Sequence, residues 1–298
     1  MPVPSPSADA IDSVDDVVHA LTAHDYLADD SLATAVFLAL RLHRPLLVEG
    51  EPGTGKSELA RVLSAWSGGE LIRLQCHEGI DVSQALYEWD YSRQLLHVRV
   101  QEVAGYDVER VEDGLFDERF LLRRPLLRAL EAREGPVPVL LIDELDRADD
   151  EFEAFLLELL SGWTVTVPEL GTVHADRPPV VVITSNRTRD VHDALKRRCL
   201  YHWIDHPDVE REAAIIRLRV PDATDAVAVA VAQATERLRG AGLYKAPGVA
   251  EAIDWAAALV AMGARVADGT TLDATLGAAV KYHEDLQLVR RMDLVADE

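Results

Sequence analysis

One stretch, residues 46 to 57, constrains the fold of this chain more than any other. It begins with apolar residues that predict a buried strand, continues with a glycine-rich loop, and ends in Lys56 and Ser57, which begin a helical pattern. In this arrangement, loop N–H groups and the helix N-terminus bind phosphate, Lys56 reaches the β- and γ-phosphates, and Ser57 ligates Mg²⁺. The predicted cofactor-binding residues are Glu51, Pro52, Gly53, Thr54, Gly55, Lys56 and Ser57.

The second element of the candidate site is acidic and follows the apolar run 139–142, which predicts another buried strand. Asp143 and Glu144 stand at its carboxyl end, where ligands bind in open α/β sheets. Beside a phosphate loop, Asp143 is expected to hold Mg²⁺ together with Ser57, and Glu144 to deprotonate the attacking water. The alternative is an acidic cluster, 143–150, that only stabilises the start of the following helix.

A third element comes from the next apolar strand pattern, 180–184, and the cations that follow it. Asn186 is a candidate to hydrogen-bond the γ-phosphate or the lytic water, although an Asn here also suits the start of a turn. Lys196, Arg197 and Arg198 come just before a last strand pattern. An arginine stabilises charge on a transferring phosphoryl group, sometimes from a second subunit. The alternative is a helix C-terminus with cations against its dipole.

The order of the patterns predicts an α/β protein with a parallel sheet flanked by helices, followed by helices alone. The Pro/Ser/Asp-rich residues 1–13 predict a disordered tail. Residues 14–207 predict the α/β core, with an insertion at 77–118, and residues 208–298 predict a small all-helical domain. The strands are expected at 46–48, 71–76, 137–142, 180–184 and 200–204, with a hairpin at 164–175.

Several segments lead to more detailed expectations. A helix is expected over 122–134, and the all-helical part is expected to contain helices at 208–219, 225–240, 248–263 and 271–288. The insertion carries aromatic residues among charges, and these suit a partner-facing surface or a local small core equally well. They are Tyr87, Trp89, Tyr91 and Tyr106.

Composition narrows the class of function. The 298 residues carry 30 Lys and Arg against 52 Asp and Glu, a net charge of −22, which repels nucleic acid and anionic membranes unless basic residues cluster. Two cysteines, Cys76 and Cys199, form no C-x-x-C pair, so a zinc or redox site is disfavoured. The N-terminus lacks signal-peptide features and no apolar run is long enough to span a membrane, so we expect a cytoplasmic protein.

Together these segments resemble the AAA+ ATPases and, within them, the MoxR family. The resemblance covers about residues 25–290. It rests on residues 49–57, on Leu-Ile-Asp-Glu-Leu-Asp-Arg-Ala at 141–148, on 155–160, on Val-Thr-Val-Pro-Glu-Leu-Gly at 165–171 and on 184–186. Residues 73–79, 84–91 and 195–203 further resemble the branch encoded beside molybdenum enzymes of the carbon monoxide dehydrogenase type.

The resemblance implies an ATPase core and helical lid with Mg-ATP between them, in a ring that usually has six subunits. It implies that Asn186 is a sensor of the γ-phosphate and that Arg198 is the finger reaching a neighbour's nucleotide, with Arg197 as the fallback. The insertion 77–118 and the hairpin 164–175 correspond to pore-side elements. Where the wider family often has Ser-Pro-Arg at the start of a lid helix, this chain has Ala-Pro-Gly248. The second-sensor arginine is therefore missing, or its role moves, with Lys245 as the candidate.

The family resemblance also implies partners. MoxR members act as chaperones that mature metalloenzymes, often with a von Willebrand A-domain protein, and the implied client here is a molybdenum hydroxylase. Two other hypotheses are a nucleotide-gated scaffold, motivated by Gly248, and a motor on nucleic acid, which the charge disfavours. A GTPase is disfavoured because no Asn-Lys-x-Asp signature follows the second motif.

Overall fold

A computed structural model describes residues 11–103, 115–132, 134–168 and 171–292. Most of the predicted disordered tail, 1–10, lies outside these residues, as do 104–114 of the insertion, with Tyr106. The tail prediction extends too far, because Ile11 is buried in the core and Ser13 caps the first helix. An isoleucine placed against an apolar core is ordered by the burial of its side chain.

The strands form one five-stranded sheet and two small hairpins. They are β1 (Leu46–Gly50), β2 (Leu71–Gln75), β3 (Tyr87–Trp89), β4 (Leu121–Arg123), β5 (Val139–Asp143), β6 (Thr164–Val167), β7 (Gly171–His174), β8 (Val180–Ser185) and β9 (Leu200–Ile204). The sheet runs β2-β5-β8-β1-β9 and every neighbouring pair is parallel. The predicted parallel α/β fold is therefore confirmed, and so is the hairpin, formed by β6 and β7.

The helices cover both faces of the sheet and then continue alone. They are α1 (Val14–Ala23), α2 (Asp30–Leu42), α3 (Lys56–Ser67), α4 (Val82–Ala85), α5 (Tyr91–Val103), α6 (Pro125–Glu131), α7 (Asp150–Gly162), α8 (Asp193–Arg198), α9 (Val209–Arg219), α10 (Asp225–Gly240), α11 (Val249–Ala261), α12 (Gly269–Thr275) and α13 (His283–Val289).

Apolar residues fill two layers, one on each side of the sheet. One layer packs α1, α2 and α3 against β1, and the other packs α6 and α7 against β5 and β8. Central strands buried on both faces read as continuous apolar runs, which is why β1, β5 and β8 were recognisable in the sequence. All five carboxyl ends meet at one edge of the sheet, and this edge carries the candidate site.

Two expectations about helices are wrong. The helix expected over 122–134 begins only at Pro125, because the three residues before Arg124 form β4, which pairs with β3. Proline has no N–H to give and suits the first helical position, so the helix starts there. The single helix expected over 271–288 is two helices, α12 and α13, joined by a 3₁₀ turn that contains Gly277, a poor helix former.

The described part of the insertion contains both a small core and an exposed surface. Trp89 is buried and packs edge-on against Phe116, with 5.3 Å between ring centroids. Tyr91, at the start of α5, is 68% exposed. Trp89 thus belongs to a local small core, whereas Tyr91 lies on the exposed surface.

Helices α9 to α13 pack around Trp255 as a separate apolar cluster, and we call this part the lid. Trp255 is buried and its indole N–H donates to Thr275 Oγ1 at 2.8 Å. Among the described residues, no helix is both long and apolar enough to cross a bilayer.

Candidate active site

The loop between β1 and α3 has the backbone geometry of a phosphate cradle. Gly53 and Gly55 have φ of 79° and 90°, backbone conformations that residues with a side chain rarely adopt. Gly50 is needed for space, because a Cβ there would lie 2.3 Å from the carbonyl oxygen of Ile204 on β9. The loop is thus fixed to a neighbouring strand while its N–H groups stay near the helix N-terminus.

Lys56 lies buried beneath this loop. Its Nζ donates to the carbonyl oxygens of Gly50, at 2.8 Å, and Glu51, at 2.7 Å. An ammonium has three donors, so one remains after these bonds. Burial lowers the pKa of Lys56, and nearby carboxylates, Asp146 first among them, oppose that shift. The side chain is therefore a buried cation with one donor left for a phosphate oxygen.

Asp143, at the end of β5, is the centre of a buried polar cluster. Its Oδ1 accepts from Ser57 Oγ at 2.7 Å and from Thr184 Oγ1 at 2.6 Å, and its Oδ2 accepts from Arg73 Nε at 3.0 Å. The carboxylate is only 2% exposed. Its contact with Ser57 brings together the two oxygen ligands expected for Mg²⁺, the type of ligand this ion prefers.

Glu144 has the special backbone of a site residue. Its φ is 56°, which is uncommon for a residue with a side chain and is held here by a hydrogen bond from its N–H to Thr184 Oγ1 at 2.9 Å. Its Oε2 accepts from Gln75 Nε2 at 3.2 Å and from Arg147 Nη1 at 3.0 Å. The carboxylate is thus oriented by partners on two different segments.

Asn186 follows β8 and lines the same cavity as Lys56 and Asp143. The loop that carries it is fixed from below by Asp146, which is 3% exposed and whose Oδ2 accepts from the N–H and hydroxyl of Thr188 at 2.9 and 2.7 Å. Asp146 is a part of the site that the sequence analysis did not single out.

The cavity above these residues has a volume of about 760 Å³. Its walls come from four parts of the chain: the phosphate loop, the link between β9 and α9, the segment before α2, and the lid. The residues that the last two parts contribute include Asp25, Tyr26, Leu27, Asp29, Arg211, Ile215, Arg219, Val249 and Ile253. Such a volume is in the range of small-molecule and cofactor sites, and its mixture of apolar walls and polar floor suits a nucleotide.

The donor set fits Mg-ATP on the evidence of this structure. The glycine loop leaves room that a Cβ would fill, Lys56 is a buried cation that bonds to no carboxylate of the described residues, and Ser57 and Asp143 are adjacent oxygen ligands. When bound, Mg-ATP supplies the phosphoryl group and the metal charge. Lys56 and the loop would hold the phosphates, and Ser57 and Asp143 the ion.

The lid contacts the phosphate loop through backbone rather than through an arginine. The N–H of Val249, the first residue of α11, donates to the carbonyl oxygen of Gly53 at 2.9 Å. A Cβ on Gly248 would lie 2.7 Å from Gly53 Cα and 2.9 Å from the carbonyl oxygen of Pro52. The position of the family's second-sensor arginine therefore has no room for a side chain in this arrangement.

The suggestion that Lys245 takes over this role is not favoured, because its side chain is exposed and does not line the cavity. Two lid arginines on α9 do line it. Arg219 Nη1 donates to Glu58 Oε1 at 3.0 Å, and Arg211 Nη2 donates to the carbonyl oxygen of Leu27 at 2.7 Å. Both link the lid to the core at the edge of the cavity.

We expect Gly248→Ala to weaken ATP binding about tenfold, since the added methyl group must push α11 away from the loop. Gly240→Ala is the matched control, because a Cβ there meets nothing within 4 Å. Titration of a fluorescent ATP analogue measures both. Equal affinities for the two variants would mean that the contact between Gly248 and Gly53 does not matter for binding.

His206, between β9 and α9, makes stability depend on pH. Burial first, then the cations Arg239 and Lys56, lower the pKa of His206 to about 4 from 6.5. Unfolded protein therefore binds more protons than folded protein between these values, so stability present above pH 6.5 is lost as pH falls towards 4.

We expect this loss to be about 1 kcal/mol after partial exposure is allowed for, and His206→Gln to remove it. Urea unfolding of the nucleotide-free protein at pH 7 and pH 5 tests this. His19→Gln, at an exposed position, is the control. If the two variants lose the same free energy of unfolding as the pH falls, His206 is not responsible.

Arg197 and Arg198 lie away from the cavity. They end α8, just before β9, and Leu200 at the start of β9 pairs with Leu46 at the start of β1. The phosphate loop follows the other end of β1, roughly 15 Å along the strand. Both arginines are exposed, and neither has an ion pair among the described residues. They therefore lie at the opposite end of β1 from the phosphate loop of the same chain.

Fold and site together define a P-loop nucleotide-binding protein of the α/β class with a helical lid. Residues 45–199, more than half of the chain, match the family model of the AAA domain (dynein-related subfamily), and the chain belongs to this family. A segment of 54 residues is 41% identical to midasin of Giardia intestinalis. That segment is 18% of this chain and 1% of midasin, so the chain spans a very small part of that relative.

Solved structures agree with the fold. Two mutants of RuvB from Thermotoga maritima each superpose with a TM-score of 0.50 at 17% identity. The alignments cover 92% and 99% of this chain, and 72% and 76% of the RuvB chains. At this identity the likeness concerns the fold alone.

Several site residues were missed by sequence reasoning. Arg73 and Gln75 reach Asp143 and Glu144 because β2 lies beside β5, a neighbour relation that no local pattern states. Thr184 could have been found, because it ends an apolar strand at the same sheet edge as Asp143. The lid arginines could not have been found, since their place depends on how the lid docks.

Proposed function

We propose that this chain is an ATP-hydrolysing AAA+ chaperone of the MoxR type that works as a ring and matures a metalloenzyme. Its charge disfavours binding to nucleic acid. The client we propose is a molybdenum hydroxylase of the carbon monoxide dehydrogenase type. The proposed partners are further copies of this chain in a homo-hexamer and a von Willebrand A-domain protein, in the cytoplasm. Membership of the AAA family supports the ATPase part, and the sequence resemblance described above supports the rest.

One observation carries the ATPase proposal: Ser57, Asp143 and Glu144 line one cavity beside the phosphate loop, and the lid forms another of its walls. In the mechanism we propose, Lys56 and the loop hold the phosphates and Ser57 and Asp143 hold the ion. Glu144 removes a proton from the attacking water through a carboxylate oxygen, and the amide of Asn186 orients that water.

The position of the arginines supports the ring proposal. Arg198 lies at the end of β1 opposite to its own phosphate loop, and this supports a role for its guanidinium at a nucleotide on another subunit. A complete site then needs two copies of the chain, and Arg197 is the second candidate for the same role.

A nucleotide-gated scaffold is the second candidate function, favoured by one feature. Gly248 leaves no side chain to couple the lid to the γ-phosphate, although the lid still contacts Gly53 through its backbone. In that case binding and assembly would carry the function, and hydrolysis would be incidental. A motor on nucleic acid is opposed by the net charge of −22.

The deciding experiment combines this chain, an A-domain protein and an immature molybdenum hydroxylase with Mg-ATP, and measures the hydroxylase activity gained. The chaperone proposal expects activation by the wild type and none by Glu144→Gln. Equal activation by both would favour the scaffold. A gel shift with DNA that weakens as salt rises would favour the motor, and no activation under any condition would contradict this client.

A further inference from the structure

A single arginine outside the active site holds the end of the helix that carries Arg197 and Arg198. Arg44 lies in the three-residue link between α2 and β1. Its Nη2 donates to the carbonyl oxygens of Arg197, at 2.7 Å, and Cys199, at 3.2 Å. Its Nε donates to the carbonyl oxygen of Arg198 at 3.0 Å. One guanidinium thus contacts three consecutive carbonyl groups.

This contact brings a further positive charge to a helix end that is already positively charged. The last turn of α8 already contains Lys196, Arg197 and Arg198, and Arg44 adds a fourth cation beside them. Like charges repel, and no carboxylate forms an ion pair with Arg44 among the described residues. The favourable terms are the three carbonyl acceptors and the negative end of the helix dipole, so the interaction depends on the backbone position of residues 197–199.

The same short link is joined to the sheet. The N–H of Leu200 donates to the carbonyl oxygen of Pro45 at 2.8 Å, so residues 44–45 bind the chain at 197–200 through four hydrogen bonds. The link continues directly into β1, which ends at Gly50 in the phosphate loop. One strand therefore has the phosphate loop at one end and the arginine-bearing helix end at the other.

We infer that Arg44 is a positioning residue for the arginine that one subunit gives to its neighbour's nucleotide. Its guanidinium fixes the carbonyl groups of residues 197–199, and this sets the direction in which the exposed side chains of Arg197 and Arg198 leave the subunit. The inference rests on the proposed shared ATPase site. A guanidinium is required because a lysine offers no fork to reach three acceptors at once.

Mixed rings separate the role of Arg44 from a general effect on folding. Lys56→Ala subunits lack nucleotide binding but keep their arginines, and Arg198→Ala subunits bind nucleotide but lack the finger. Each is inactive alone, and mixing them should restore hydrolysis at sites where a Lys56→Ala subunit supplies Arg198. Arg44→Ala is then added to one or the other partner.

We expect Arg44→Ala to reduce the restored hydrolysis at least about tenfold when it is in the Lys56→Ala subunit, which supplies the arginine. It should change hydrolysis less than about twofold in the Arg198→Ala subunit, which supplies the nucleotide site. Arg44→Lys should recover part of the loss. Arg41→Ala, an exposed position on α2, is the control and should have no effect in either subunit.

The outcomes that contradict the inference are distinct. Equal losses in both subunits would mean that Arg44 only stabilises the fold, and no loss in either would mean that its contacts are irrelevant to catalysis. If mixing Lys56→Ala with Arg198→Ala restores nothing although mixed rings form, the shared site itself fails, and the inference with it. Thermal melting of Arg44→Ala and of Arg44→Lys, the gentler change, tests whether the subunits compared are folded.

Discussion

Replacing Glu144 by glutamine is expected to lower ATP hydrolysis about 10²- to 10⁴-fold while ATP binding stays within about twofold of the wild type. The amide has nearly the shape of the carboxylate, and its oxygen still accepts from Gln75 and Arg147. It cannot accept the proton of an attacking water. Binding is preserved because Lys56, Ser57 and Asp143 are unchanged.

The measurement is steady-state release of phosphate, with ATP affinity measured in parallel. Glu158→Gln is the matched control: it removes the same charge from an exposed position on α7 and should leave turnover unchanged. Substantial turnover by Glu144→Gln would mean that Glu144 is not the base. Lost binding would instead assign the residue to the nucleotide pocket, and the kinetic and binding data together separate these cases.

Sequence reasoning predicted the site residues that belong to a continuous motif or stand at the end of a recognisable strand. Lys56 and Ser57 belong to one continuous motif, and Asp143 ends an apolar strand that could be recognised because it is buried on both faces. The rule that ligands lie beyond the carboxyl ends of parallel strands was then enough to bring Asp143 to the phosphate loop. The hydrogen bond between Ser57 and Asp143 agrees with that argument.

The parts that were missed depend on contacts between distant segments. No local pattern in β2 predicts that it lies beside β5, yet this pairing allows Arg73 to donate a hydrogen bond to Asp143. The start of the helix expected at 122–134 was mispredicted for the same reason, since β4 forms by pairing with the distant strand β3. Gly248 was recognised as a departure from the family, but its contact with Gly53 needs the docked lid.

The second large effect is expected for Arg198→Ala, which should lower hydrolysis about 10³-fold or more in the assembled protein and leave ATP binding to each subunit unchanged. The physical reason is the separation of Arg198 from its own cavity: it ends α8 at the start of β9, while the phosphate loop follows the far end of β1. In the proposed ring, its charge would therefore act on a neighbour's nucleotide.

Hydrolysis per subunit should also rise with protein concentration in the wild type and stay low at every concentration in Arg198→Ala. Arg197→Ala is the matched control, because it removes the same charge from the adjacent exposed position. A large loss in Arg197→Ala and a small one in Arg198→Ala would exchange the two roles. Small losses in both, in oligomers of normal size, would contradict a shared site, because no other part of the argument requires a second subunit.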